Sequence, residues 1–578
     1  MAREKTPGYN APTMTEHEEL RNHRLEASGI GPIEERVERR LRLWGEMDFG
    51  ARLWRKDPSL WSSDPASEIA DRLGWLDLPR AMDHTATECA ALAASVRGED
   101  FRHCVLLGMG GSSLAPEVLQ KTFGVAAGGL PLLVLDTTHP KAVLEVERAI
   151  DPARTLFVVS SKSGTTIETI SGFRYFWHCV SKDTQNPGRR FVAITDPGTP
   201  LQTLARERGF RHVFTAPRDV GGRYSALSPF GLLPAALLGM DVHELLTSGL
   251  RMVEACGPGV DPARNPALHL GALLGELALA GRDKLTFIAE ERIASFPVWV
   301  EQLVAESTGK AGCGIVPVAV EPPRAPGDYA GDRVFVHLQA DGSAETSGFA
   351  ESLAAAGHPV LRTDWGSVDE IGAEFFRWEM AVAAAGAVFG INPFDQPDVE
   401  RAKKLARDAM AGGSDAGGDD AGVAAGDGET LREALGAWLA SARDGDYAAI
   451  HAYLAPGDRT DAALATIRRA IGEPMRLATT CGYGPRFLHS TGQLHKGGPN
   501  TGLFLQLVDE PGDDVPVPET DYSFRDVIRA QALGDYRALE EAGRRVLRVR
   551  LGADPVAALE CLAREAAAVA ERIGGGEA

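Results

Sequence analysis

The sequence predicts an α/β fold: two doubly wound, mostly parallel sheet domains with helical N- and C-terminal extensions. Three observations carry that expectation. Apolar, β-branched runs of strand length recur along the chain, as expected for strands buried on both faces. Stretches with helical spacing separate several of them, the pattern of a parallel sheet. The polar, glycine-containing clusters lie at the carboxyl ends of the runs, where open α/β sheets bind ligands.

Residues 1–95 lack strong strand runs, and segments such as Pro32–Met47 space their apolar residues as a helix does, so this part reads as a helical N-terminal extension. A first α/β domain is expected over 96–250, with strands in "HCVLLG", "LPLLVLD", "TLFVV" and "RFVAIT". A second is expected over 251–578, with strands in "KLTFIAE", "RVFVHLQ", "HPVLRTDW" and "MRLATT" and a helical C-terminus. Between 411 and 429, "AGGSDAGGDDAGVAAGDGE" has no apolar periodicity to bury, so it reads as a mobile surface loop.

Composition narrows the partners. The chain has 578 residues, 44% of them hydrophobic and 24% charged, which is ordinary for a globular protein of more than one domain. Its seven cysteines are scattered without CxxC spacing, so neither a disulfide framework nor a zinc site is expected. The polar N-terminus and the short apolar runs point to a cytoplasmic protein. A formal net charge of −20 argues against nucleic acid and against anionic membranes. It also means that any phosphate site must be made from local dipoles and one or two local cations.

The stretch "VVSSKSGTTIET" (Val158–Thr169) has that makeup. A buried strand ends in small hydroxyl residues, a lysine and a glycine, then enters a helix. The helix N-terminus offers unpaired N–H groups and a partial positive charge. The lysine needs a counter-charge, and a bound phosphate would supply one. "GMGGSS" (Gly108–Ser113) is a second strand-to-helix turn. Its GxGGSS spacing departs from the GxGxxG of dinucleotide sites, which disfavours a nicotinamide cofactor.

Other motifs supply reactive groups. "DVGGRYS" places Arg223 after two glycines, where it can meet developing negative charge, or pair with Asp219 or another acid. In "VEQLVAESTGK", Gln302 and Glu306 are four apart and share a helix face, so Glu306 is a candidate general base. In "NPFDQPDVERAKK", Gln396 and Lys403 are seven apart, two helical turns, and are expected to point the same way. "FLHSTGQLHKGGPN" holds His489 and His495 in a polar, glycine-rich loop, and at least one of them is expected to be structural.

Together these segments resemble the phosphoglucose isomerase family, built on paired sugar-isomerase (SIS) domains. The resemblance covers most of the chain from about residue 100, and it is similar to the isomerase portion of the transaldolase-fused bacterial branch. It implies D-glucose 6-phosphate to D-fructose 6-phosphate isomerisation through a cis-enediol(ate), with no cofactor, no metal, and assembly as a homodimer. Residue by residue, Ser112, Ser161, Lys162, Ser163 and Thr166 match the phosphate cradle. Gly222 and Arg223 match the pair near the enediolate, and Gln302 and Glu306 the substrate glutamine and proton-transfer glutamate. Gln396 and Lys403 match the second glutamine and the ring-opening lysine, and His489 the ring-opening histidine. Most of the family carries its histidine motif between the glutamate and lysine motifs; here the order is Glu306, Lys403, His489. Two alternatives stand beside this: mannose 6-phosphate as substrate, or a non-catalytic sugar-phosphate sensor on the same fold.

Overall fold

The computed structural model describes residues 25–64, 68–411 and 422–575. β1 (Leu25–Ser28) is a strand inside the stretch expected to be a helical extension. Its four residues alternate half-buried and exposed, too short a pattern to register in sequence, and it closes one edge of a sheet made more than 250 residues later. The rest of the extension is helical, beginning with Ile33–Glu46.

The first sheet contains β2 (His103–Gly108), β3 (Leu132–Leu135), β4 (Thr155–Ser160), β5 (Phe191–Thr195) and β6 (His212–Thr215), in the order β3-β2-β4-β5-β6 and all parallel. The second contains β7 (Lys284–Ala289), β8 (Val316–Val318), β9 (Arg333–Gln339) and β10 (Val360–Asp364), ordered β1-β10-β9-β7-β8 with only β1 antiparallel. All six residues of β4 are buried, as helices on both faces require.

Residues 251–578, expected to form one α/β domain, carry two sheets. The additional one contains β11 (Val423–Ala424), β12 (Tyr447–Tyr453), β13 (Ala478–Tyr483), β14 (Gly502–Val508) and β15 (Arg545–Arg550), ordered β11-β15-β14-β12-β13 and all parallel. "MRLATT", expected in the second sheet, feeds β13 of this third one. The three sheets share one internal order. β3-β2-β4-β5, β8-β7-β9-β10 and β13-β12-β14-β15 each place the second strand outside the first, then the third and fourth on the other side. Of the expected surface loop 411–429, residues 412–421 lie outside the described residues. Its end is structured: β11 pairs with β15, and a helix starts at Gly428.

One apolar core runs through the first two units, from Val37 to Phe394, whereas the third unit has its own, from Ala425 to Ala570. The third unit meets the others through apolar and polar contacts alike: Val515, Val517 and Phe524 pack into a cluster of the first unit, and Tyr447, Ala449 and Phe504 pack with Ala305, Val316 and Val318 of the second. Arg486 lies between Glu117 and Asp136 of the first unit, 3.1 Å from Asp136. His139 Nε2 lies 3.1 Å from Asp509 Oδ2. Toward the second unit, Glu321 pairs with Arg333 at 2.9 Å and accepts from the Thr479 N–H at 2.8 Å. This arrangement brings one loop of the third unit, 486–497, over the carboxyl ends of the first sheet.

Candidate active site

A cleft of about 830 Å³ opens at the junction of the three units. Its floor is where two glycine turns touch. At Gly111 a β-carbon would stand 2.0 Å from the Gly222 carbonyl oxygen, so the turn after β2 and the turn carrying Arg223 meet backbone to backbone. Gly110, at φ +54°, would place a β-carbon 2.6 Å from the His489 carbonyl oxygen. Only glycine lets the third unit's loop come this close.

At one end lies the hydroxyl cradle. Ser112, Lys162, Ser163 and Thr166 all line the cleft. Thr166 begins the helix Ile167–Asp183 without capping it by its side chain, so the first helical N–H groups remain available to an anion. Ser161 does not line the cleft. Its hydroxyl is 2.9 Å from that of Thr166 and accepts from the Gly164 N–H at 3.1 Å, so it shapes the turn instead. Lys162, expected to lack a protein counter-charge, is instead ion-paired with Asp196, which follows the neighbouring strand β5. A phosphate here adds to an existing pair, and Lys162 is shared between them.

The opposite wall is built on the helix Phe296–Thr308. Gln302 and Glu306 share its cleft face as their spacing requires, with Gln302 Nε2 3.3 Å from Glu306 Oε2 and 2.7 Å from the His489 carbonyl. Gln302 Oε1 is buried without a partner, an acceptor aimed at nothing in the protein. Arg223 is almost fully buried, and Asp219 is not its partner. Its Nε donates to Ser307 Oγ at 2.8 Å, Nη1 to Gln396 Oε1 at 3.0 Å, and Nη2 to the Pro393 and Asp395 carbonyls. Nη1 also lies 3.4 Å from Glu306 Oε2. Gly222 lines the cleft beside it.

Gln396 and Lys403 both reach the cleft, but not as two turns of one helix, because the helix starts only at Val399. Gln396 lies in the turn before it. That turn is pinned by Lys310, a residue sequence reasoning passed over although it ends the "ESTGK" motif. Lys310 Nζ is 2.8 Å from Asp395 Oδ1. Burial and the nearby Arg223 push its ammonium down to about 8. Lys403 is partly exposed and bonded to Glu400 at 2.7 Å.

The two histidines separate clearly. His489 lines the cleft, and its Nε2 lies 2.9 Å from Glu168 Oε1. His495 is buried in the third unit with its ring 4.6 Å from that of His451, and burial holds it neutral, far below its ordinary range. Glu168 was missed. It lies inside "TTIET", where an acid in the first helical turn looks like an ordinary complement to the helix dipole. Burial works to raise its carboxyl, but the His489 imidazole outweighs it and holds the group below the usual carboxylate range. The displaced motif order thus has a spatial answer. The third unit reaches back, so that a histidine late in the chain lines the same cleft as Glu306, far earlier in the sequence. A second cavity of about 930 Å³, mostly apolar, adjoins the cleft and shares Thr166, Lys403 and His489 with it.

Comparison with known proteins agrees with this geometry. The sequence model for phosphoglucose isomerase matches residues 88–316. A glucose-6-phosphate isomerase of Thermus thermophilus is 31% identical over 396 residues, 60% of this chain and 92% of that one. That of Rubrobacter xylanophilus is 29% identical over 389 residues, 58% of this chain and 89% of that one. A hypothetical protein of known crystal structure, also from Thermus thermophilus, superposes with a TM-score of 0.58 and 27% identity, over 67% of this chain and 100% of that chain. The cleft gathers eleven of the twelve expected residues, and the match at 31% identity over 92% of the Thermus thermophilus enzyme shows the kinship: the chain belongs to the phosphoglucose isomerase family.

Proposed function

We propose that this chain interconverts D-glucose 6-phosphate and D-fructose 6-phosphate through a cis-enediol(ate). The observation that carries the reading is the pairing of Glu306 with Arg223 at 3.4 Å on one wall, with His489 and the hydroxyl cradle lining the same cleft. The substrate phosphate sits on the open helix N-terminus with Ser112, Lys162, Ser163 and Thr166. Binding energy from this unreactive end positions the reacting carbons. His489 and Lys403 move protons at the ring oxygen and anomeric hydroxyl to open the ring. Glu306 takes the proton from C2 and returns it to C1. Arg223, already fixed by its hydrogen bonds, stabilises the charge that develops on oxygen as the enediolate forms. Gln302 and Gln396 hold the sugar hydroxyls, and the orphan Gln302 Oε1 is the natural acceptor for one of them. The protein acts in the cytoplasm, as a homodimer by likeness to its family.

A coupled assay on fructose 6-phosphate with EDTA present tests this reading. Turnover with transfer of label between C2 and C1, and partial exchange with solvent, is expected. Sugar-phosphate binding with no turnover, and with no proton exchange at C1 of fructose 6-phosphate or C2 of glucose 6-phosphate, would instead leave a sensor.

A further inference from the structure

His489 is held in the cleft by a chain of hydrogen bonds that starts in the first unit, passes into the third, and returns. Thr138, fully buried after β3, donates from Oγ1 to Gln531 Oε1 at 2.8 Å. Gln531, on the helix Phe524–Glu541 of the third unit, donates from Nε2 to Glu168 Oε1 at 2.7 Å. The same Glu168 oxygen faces His489 Nε2 at 2.9 Å.

An amide has one donor end and one acceptor end. With the Thr138 hydroxyl at the acceptor end, the Gln531 NH₂ must face Glu168. Glu168 Oε1 then receives two N–H donors, which suits a carboxylate and leaves no room for a proton on that oxygen. His489 must therefore carry its hydrogen on Nε2, and the bond one nitrogen makes sets the state of the other. Gln531 is 6% exposed and also borders the mostly apolar second cavity, where packing alone would be served by an aliphatic side chain.

We propose that Gln531 is a positioning residue for ring opening. It fixes the Glu168 carboxylate as acceptor of the His489 Nε2–H, so that Nδ1 is the nitrogen that exchanges protons with the substrate. This rests on the isomerase reading above. It makes the third unit the source of the histidine and also of the group that sets its tautomer.

The test compares Gln531→Leu and Gln531→Glu with the full-length wild-type protein. Gln531→Leu is expected to lower kcat on cyclic glucose 6-phosphate by about tenfold to a hundredfold, within the range for impaired acid–base catalysis, with KM nearly unchanged. It should spare an open-chain substrate analogue. In Gln531→Glu a second carboxylate joins Glu168, which interacts with His489, Lys403 and the Tyr453 hydroxyl and shares its cavity with Arg174, Glu207, Glu400, Arg407 and Tyr522. Two such carboxylates cannot both ionise freely, so activity should fall as pH rises and recover as it falls, relative to wild type. ¹⁵N NMR of the histidines reads the tautomer without turnover: Nε2–H for His489 in the wild type, a mixture in Gln531→Leu. A folded Gln531→Leu with wild-type kcat and the wild-type tautomer overturns the proposal, as do equal losses on cyclic and open-chain substrates. If Gln531→Leu fails to fold, Thr138→Val removes only the hydroxyl and must show the same split. If the wild type proves not to be an isomerase, the NMR arm alone still decides the role of Gln531.

Discussion

Arg223 Nη1 and Glu306 Oε2 lie 3.4 Å apart, and every nitrogen of that guanidinium is committed to a named acceptor. A cation so fixed stabilises charge formed beside it without reorganising, which is where most electrostatic catalysis comes from. Arg223→Lys keeps the charge but cannot reproduce the fork that holds Ser307, Gln396 and the 393–395 carbonyls. It should lower kcat by about a hundredfold to a thousandfold. Steady-state kinetics of the folded variant check this, and a loss under about threefold would remove Arg223 from the transition state.

Glu306→Gln should keep sugar-phosphate binding and lose proton transfer. Loss of a general base costs roughly a hundredfold to ten-thousandfold in rate. The measurement is exchange of the C2 proton with solvent, with binding followed separately by calorimetry. Near-normal exchange would assign the base elsewhere.

Lys162→Ala should raise KM for phosphorylated sugars and leave unphosphorylated ones untouched, since the cradle holds an unreactive part of the substrate. The ion pair with Asp196 adds a second expectation. In the variant the half-buried Asp196 carboxylate loses its lysine and repels phosphate, so Lys162→Ala/Asp196→Asn should bind substrate better than Lys162→Ala alone. A double variant no better than the single one would show that Asp196 does not share the lysine with the ligand.

His489→Ala and His495→Ala should fail in different ways. His489→Ala should slow turnover of cyclic hexose phosphates while sparing an open-chain analogue. His495→Ala leaves a hole in the third unit's core beside His451, so it should cost about 3 kcal/mol of stability, read from the denaturant midpoint, and affect both substrates alike. A larger ring-opening defect in His495→Ala would exchange the two roles.

Stability should fall in acid partly through Glu117. Burial works to raise its carboxyl, but Arg486 and Lys121 together outweigh it and hold it at about 2, against an ordinary value of 4.5. The sign follows from the depressed value. This stabilisation is complete above the unfolded value of 4.5 and is lost as pH falls toward about 2. Glu117→Gln should lower stability by about 1–3 kcal/mol at neutral pH, because the partly exposed Arg486 keeps only Asp136 as an acid partner. Chemical denaturation at neutral pH and again in acid checks both: the gap between wild type and variant must narrow in acid.

The apolar runs of β2, β4, β5, β7, β9 and β10 were legible because each is continuous and bounded by turn residues. The third sheet was harder. β15, "RVLRVR", carries three arginines in six residues and is not a continuous apolar run, yet Arg548 is buried and donates to Gln506 Oε1 at 3.0 Å. β12 contains the buried His451, whose partner Asp535 lies 84 residues away. The site shows the same limit. Hydroxyls, glycines and the Glu306 face could be read locally, because spacing carries them. Asp196 beside Lys162 and Glu168 beside His489 could not, because strand adjacency and the return of the third unit create those pairs.

A cleft whose histidine is carried by the third unit works like a clutch. That unit keeps its own core, from Ala425 to Ala570, and also shares apolar clusters and ion pairs with both neighbours. Loosening those contacts would withdraw His489 and Gln531 together. Activity is therefore expected to fail before the sheets melt, an order read by following turnover and circular dichroism through one denaturant series.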